Sequence, residues 1–168
     1  MAETEATLCF PLRSRDDGTD EVLLIEKRRG LGAGWYNGPG GKREVSETPR
    51  ACAIRETREE VGLEVLDLEK AGELTFLLDG DPHTFCHVFR TRSFTGEPTA
   101  SAEARPEWVP VDEVPYDRMW EDDRLWLPGV LEGRTVVGEF QFVGGEPLDE
   151  ADFVDHDLEW DRSGLSDR

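Results

Sequence analysis

Residues 30–41 hold six glycines and one proline in twelve positions: Gly30-Leu31-Gly32-Ala33-Gly34-Trp35-Tyr36-Asn37-Gly38-Pro39-Gly40-Gly41. Glycine and proline disfavour the interiors of both helices and strands, so this stretch is expected as irregular backbone. It leads into a helix. Thr48 fits the N-cap, Pro49 the first helical position and Gly62 the left-handed residue past the end, with good helix formers over 50–61 between them. Strands are expected over 6–12 and 21–26, joined by a hairpin turn at 16–20. Further strand signals lie over 63–78 (one strand or two), 83–92, 108–111 and 135–143. A second helix is expected over 124–131, with Pro128 either in its first turn or interrupting it. Strands and two helices mixed in this order point to an α+β fold rather than repeated βαβ units.

The chain has 168 residues, read as a single domain over 1–168. A domain of that size buries about 68–70% of its unfolded surface, enough for its own core. Thirty-eight acidic residues against nineteen basic ones give a formal net charge of −19. Phosphate backbones and anionic lipids are repelled by such a surface, which argues against a nucleic-acid polymer or a membrane as partner. Lysine occurs only at Lys27, Lys42 and Lys70. A lysine-poor, acidic composition is expected of a halophile that balances osmotic pressure with intracellular salt. At molar salt the Debye length is about 3 Å, which screens the self-repulsion. Cys9, Cys52 and Cys86 show no CxxC spacing and are expected as buried free thiols. No apolar run is long enough to span a bilayer, and the N-terminus has no secretory core, so a cytoplasmic monomer is expected. Beyond about residue 146 the chain is strongly acidic. Phe153, Val154, Leu158 and Trp160 can supply a last short strand there, before a disordered tail.

The first helix carries the chemistry. Glu56, Glu59 and Glu60 stand at i, i+3 and i+4 and so share one face. Like charges near a helix C-terminus repel one another and oppose the macrodipole, a cost that a divalent cation reverses. Oxygen-only ligands select hard ions such as Mg²⁺ or Mn²⁺. A merely solvated acidic face is the rival reading in so acidic a chain. The ordered set Gly41, Glu47, Arg55, Glu56, Glu59, Glu60 and Gly62 is much harder to reach by chance. This segment resembles the Nudix box, GX5EX7REUXEEXGU, with U a bulky apolar residue. Every fixed letter matches; Leu63 fills one U position, and Thr57 departs at the other.

The resemblance implies a Nudix fold, a mixed β-sheet between helices, and hydrolysis of a nucleoside diphosphate linked to another group. It implies Glu56, Glu59 and Glu60 as catalytic, metal-facing carboxylates, with the carbonyl of Gly40 or Gly41 completing the shell. It also implies a structural salt bridge between Glu47 and Arg55. Mg²⁺, or Mn²⁺ in its place, would neutralise phosphate charge and acidify a water, and a glutamate, Glu59 or Glu60, would take the proton.

Two further blocks resemble the oxidised purine nucleoside triphosphatases of this family, the MutT homologues. One is the approach to the box, from Lys27 to Lys42. The other is Met119-Trp120-Glu121-Asp122-Asp123-Arg124-Leu125-Trp126-Leu127-Pro128. The implied substrate is a small nucleotide such as 8-oxo-dGTP, cleaved to the monophosphate and pyrophosphate in nucleotide-pool sanitation. Trp120 would stack on the base. Asp122 and Asp123 would read its edge, one of them protonated because paired carboxylates resist double ionisation; their rival role is to cap the second helix. The match also implies Thr7, Lys27, Asn37, Pro39, Gly40, Gly41, Lys42 and Phe76 as substrate-pocket residues, and Glu103 as a further metal-site carboxylate. Leu31, Pro39 and Leu78 each stand where the animal enzymes carry an aromatic. The rival functions are hydrolysis of a dinucleoside polyphosphate or ADP-ribose, or a Nudix-fold binding module without catalysis.

Overall fold

The structure, a computed structural model, describes residues 3–28, 33–161 and 165. Leu31 lies outside the described residues, as do residues 162–164 and 166–168 of the tail expected after the last strand. In chain order the elements are β1 (Thr4–Ser14), β2 (Asp20–Lys27), β3 (Tyr36–Asn37), β4 (Gly40–Lys42), α1 (Pro49–Val61), β5 (Glu64–Leu78), β6 (Asp81–Thr95), β7 (Ala104–Pro110), α2 (Asp123–Leu131), β8 (Val136–Val143) and β9 (Asp152–Trp160). The strands form one mixed sheet of order β3-β2-β1-β6-β5-β8-β9, with β4 paired to β1 and β7 to β2. β1 runs parallel to β6 and β5 parallel to β8; the other pairings are antiparallel.

Alternation along the strands divides the core between the two helices. Phe10, Leu12 and Val88 pack with Trp126, Leu127 and Val130 of α2. Their chain neighbours Cys9 and Phe89 pack with Ala53 of α1, and Val61 joins Leu23, Ile25, Leu63 and Ala104. The two helices therefore cover opposite faces of the sheet. All three cysteines are buried and free. No helix among the described residues is long and apolar enough to cross a membrane.

Three expectations change. The glycine-rich stretch is not wholly irregular: Tyr36 and Asn37 pair with Glu26 and Ile25, and Gly40 and Gly41 pair with Leu8 and Thr7. Residues 63–78 become one strand, kept continuous by register shifts that include one between Lys70 and Gly72. Pro128 sits inside α2 without ending it.

Candidate active site

α1 starts and stops where its capping residues dictate. Thr48 is extended at the N-cap and its hydroxyl accepts from the Ala51 N–H at 3.1 Å, with Pro49 next; Gly62 turns left-handed at φ 78° and donates to the Arg58 carbonyl. Thr57, the departure from the apolar pattern, is fully buried, and its hydroxyl donates to the Ala53 carbonyl at 2.7 Å. That bond satisfies the hydroxyl inside the helix, so the substitution leaves the packing intact.

β4 lies against α1 at van der Waals distance, which explains its paired glycines. A Cβ on Gly40 would fall 2.0 Å from the Thr7 carbonyl oxygen, and one on Gly41 would fall 2.4 Å from the Glu56 carboxylate. The approach lets the Gly40 N–H donate to Glu60 at 2.7 Å. Arg55, next to Glu56, also reaches β4 and donates to the Lys42 carbonyl at 3.3 Å. It binds Glu47 through two hydrogen bonds of 2.6 and 2.9 Å, and reaches Glu56 at 2.7 Å and Glu59 at 3.1 Å. This clamp holds the Glu47 carboxyl well below its usual value, at about 2.

The glutamates differ in setting. Glu60 is pushed up to about 7, chiefly by burial and further by the charges of Glu56 and Glu103, against the Gly40 N–H and Lys27. Glu56 is also raised by burial, against its Arg55 partner. The Glu59 side chain is 57% exposed and paired with Arg55. Glu56 and Glu60 thus pack on β4 while Glu59 stands at the rim, a departure from one uniform face. Among the described residues, no three carboxylate, imidazole or thiol groups converge on one point. The donor set nevertheless fits a hard cation. Two desolvated carboxylates oppose each other, Glu103 adds charge nearby, and the ligands are oxygens.

A cleft of about 410 Å³ opens beside this helix. Thr7, Lys27, Asn37, Gly40, Gly41, Lys42, Phe76, Trp120, Asp122 and Asp123 all line it, and Glu60 joins them. Pro39, between the lining residues Gly38 and Gly40, is not itself in the lining; its carbonyl accepts from the Cys9 N–H at 2.7 Å, tying this segment to β1. Glu47, Arg55, Glu56, Glu59 and Glu103 also lie outside the lining. Thr7 reaches the cleft, but its hydroxyl donates to the Gly41 carbonyl at 3.4 Å and sits 3.4 Å from the Cys52 sulfur. Leu78 is buried in the core.

The two aspartates are the most unusual groups here. Asp122 and Asp123 are 1% and 5% exposed. Neither caps α2, since Asp122 occupies the N-cap position with helical backbone angles and no side-chain capping bond. Instead the Trp126 indole N–H donates to Asp122 Oδ2 at 2.9 Å. Asp122 Oδ1 and Asp123 Oδ2 are buried without a hydrogen-bond partner among the described residues. Burial raises both carboxyls. The Asp122 charge drives Asp123 higher still, whereas the indole favours ionised Asp122. Two buried carboxyls side by side resist double ionisation, and a proton held by the pair would offer a donor beside an acceptor.

Sequence reasoning missed part of this wall. Trp126 lay inside a quoted block without a role, although its i+4 spacing from Asp122 on a helix was the available signal. His83, Thr84, Glu146, Pro147 and Leu148 also line the cleft. They come from β6 and the β8–β9 connection, and no local pattern joins them.

The fold and this glycine-backed carboxylate helix define a family. The NUDIX domain matches residues 3–130, and the chain belongs to the Nudix hydrolases. The oxidized purine nucleoside triphosphate hydrolase of Danio rerio is 41% identical over 139 residues, covering 82% of this chain and 86% of that protein. Its Mus musculus counterpart is 42% identical, covering 72% and 78%. The crystal structure of a mutator MutT protein from Bacillus halodurans superposes with a TM-score of 0.74 at 26% identity, over 93% of this chain and 97% of that one. Nudix hydrolases generally use divalent metal ions and act on small nucleotide substrates.

Proposed function

We propose that this chain hydrolyses oxidised purine nucleoside triphosphates, such as 8-oxo-dGTP, to the monophosphate and pyrophosphate, with Mg²⁺ as its ion and Mn²⁺ as a substitute. The observation that carries this reading is the buried Asp122–Asp123 pair, with one unpartnered oxygen on each carboxyl, in the cleft beside Trp120. A base needs a flat platform and an edge reader. Trp120 supplies the platform, steadied edge-on by Phe142 at 6.3 Å between ring centroids, and Phe76, stacked on Phe140 at 5.3 Å, forms a wall. Asn37 spends its carbonyl oxygen on the Gly38 N–H at 2.9 Å, which leaves its amide nitrogen to donate to the base. A purine that carries both an acceptor and a donor on one edge matches a carboxyl pair that shares one proton.

Glu56 and Glu60, with Glu59 at the rim and Glu103 near enough for its charge to raise Glu60, are the carboxylates assigned to the ion. The Gly41 carbonyl accepts from Thr7 and from the Cys52 thiol at 3.7 Å, so the Gly40 carbonyl is the backbone ligand assigned here. Bound there, a divalent ion neutralises the triphosphate and acidifies water. Lys27 and Lys42 place positive charge on the cleft wall for the phosphates. Arg55 orients Glu56 and Glu59, and Glu47 fixes Arg55.

A cytoplasmic, monomeric single domain and a surface adapted to high salt complete the reading, supported by the −19 charge and scarce lysine. A turnover panel of 8-oxo-dGTP, dGTP, a dinucleoside polyphosphate and ADP-ribose tests it. With Mg²⁺, 8-oxo-dGTP is expected to be the best substrate, and EDTA to abolish its hydrolysis. Faster turnover of ADP-ribose or the dinucleoside polyphosphate would overturn the substrate assignment, and full activity in EDTA the metal assignment.

A further inference from the structure

A buried polar cluster sits on the sheet away from the cleft. Lys70 is 8% exposed and His87 is 4% exposed. The register shift between Lys70 and Gly72 explains how Lys70 arrives there. Glu73 pairs directly with His87, and Lys70 with Phe89, so the shift puts Lys70 and Glu73 on the same sheet face as His87. The Lys70 ammonium lies 2.9 Å from His87 Nδ1 and 3.1 Å from Glu73. An ammonium only donates, so Nδ1 accepts and the proton of the neutral ring is on Nε2. That nitrogen faces Glu5 at 3.3 Å.

The chain of contacts continues outward. Glu5 is ion-paired with Arg43 Nε at 2.5 Å, and its backbone carbonyl accepts from the Arg43 N–H at 2.9 Å. Arg43 then donates to the Glu47 carbonyl at 2.9 Å, with the Glu44 and Val45 carbonyls at 3.4 and 3.5 Å. It thereby gathers the turn that carries Glu47. Glu47 holds Arg55, and Arg55 holds Glu56 and Glu59. A path of hydrogen bonds joined by the Glu5–Arg43 ion pair, in which Arg43 Nε makes no hydrogen bond, thus runs from the interior of the sheet to the helix carboxylates.

We propose that His87, locked between Lys70 and Glu5, is a positioning residue for the metal-facing carboxylates of α1, acting through Arg43 and the turn that bears Glu47. This rests on the metal-dependent hydrolase reading above. The His87 ring accepts from Lys70 on Nδ1 while Nε2 donates to Glu5. Without it Glu5 loses a donor, and Arg43 loses the fixed carboxylate that aims it at the turn. Partners that orient metal ligands from outside the first coordination shell are worth about 10–100-fold in affinity or activity. His87 stands several contacts further out, so its effect is expected near the lower end of that range, about tenfold.

The test measures Mn²⁺ affinity by electron paramagnetic resonance, alongside kcat and KM for the nucleotide, in the full chain. His87→Leu is expected to weaken Mn²⁺ binding and lower kcat by about tenfold each while leaving KM unchanged. His87→Gln, which keeps an acceptor and a donor, is expected to recover part of both losses. Arg43→Met is a partly exposed change that avoids disturbing the buried cluster, and is expected to reproduce the defect. The double variant His87→Leu/Arg43→Met is expected to be no worse than either single one, because both cut one path. Additive losses, or normal Mn²⁺ affinity in folded His87→Leu and Arg43→Met, would overturn the inference and leave the hydrolase reading standing. A wild-type chain that neither binds Mn²⁺ nor turns over nucleotides would remove the hydrolase reading, and this inference with it.

Discussion

Glu47 precedes α1 and Glu60 lies in its last turn, and their environments move them in opposite directions. The two-fold clamp of Arg55 holds Glu47 at about 2, below its ordinary 4.5. A depressed carboxyl stabilises the fold above its unfolded value and loses that contribution as pH falls toward its folded one. Glu47→Gln is therefore expected to lower the melting temperature at neutral pH, by a margin that shrinks as pH drops below about 4 and vanishes near 2. A margin independent of pH would show that the clamp contributes nothing through charge. Glu60, raised to about 7, holds a proton below that pH and must release it to bind a cation. Mn²⁺ affinity is expected to fall as pH is lowered from about 8 to about 6, and Glu60→Gln to abolish that dependence together with turnover. A flat affinity profile in the wild type would contradict the assignment of Glu60 as a ligand. The box spacing made these residues legible in the sequence. Their unequal burial was not, because the packing of β4 on the helix sets it.

At the level of elements, the helix was readable to its ends. Thr48, Pro49 and Gly62 each occupy the cap position that their chemistry favours. Gly62→Ala would force an L side chain into the left-handed region and bring its Cβ to 3.0 Å from Thr99 Oγ1. The cost is about 1–2 kcal/mol, or roughly 2–8 °C in melting temperature, readable by calorimetry. No loss of stability would mean that the cap is not under strain. The glycines at 38–41 were less legible. Composition marks them as breakers, whereas they serve as bare backbone where β4 must approach Thr7 and Glu56. That reason depends on partners 33 and 15 residues away in sequence, Thr7 for Gly40 and Glu56 for Gly41, beyond the reach of local propensity. The bulge in β5 escaped notice likewise, since Lys70 and Glu73 share a face only through it.

Across the whole molecule, charge and shape act together. A net charge of −19 on one small domain repels itself, and salt screens that repulsion. The melting temperature is expected to rise from dilute to molar KCl, and a flat or falling curve would remove the high-salt reading. The α+β class, the mixed sheet and about half of the cleft lining could be read from the sequence, because motif blocks keep their residues together. The wall built by His83 and Glu146 could not, since residues 63 positions apart meet there only through the sheet, His83 Nε2 lying 3.1 Å from the Glu146 carboxylate. The most direct test is the ratio of kcat/KM for 8-oxo-dGTP to that for dGTP, measured in the wild type, Asp122→Ala and Asp123→Ala. Metal and phosphate contacts are common to both substrates, so the ratio isolates recognition of the base. Losing a buried partner costs about 1–3 kcal/mol, so each variant is expected to lower the ratio by roughly fivefold to 150-fold. Variants that both keep the wild-type ratio would contradict the assignment of Asp122 and Asp123 as readers of the oxidised purine.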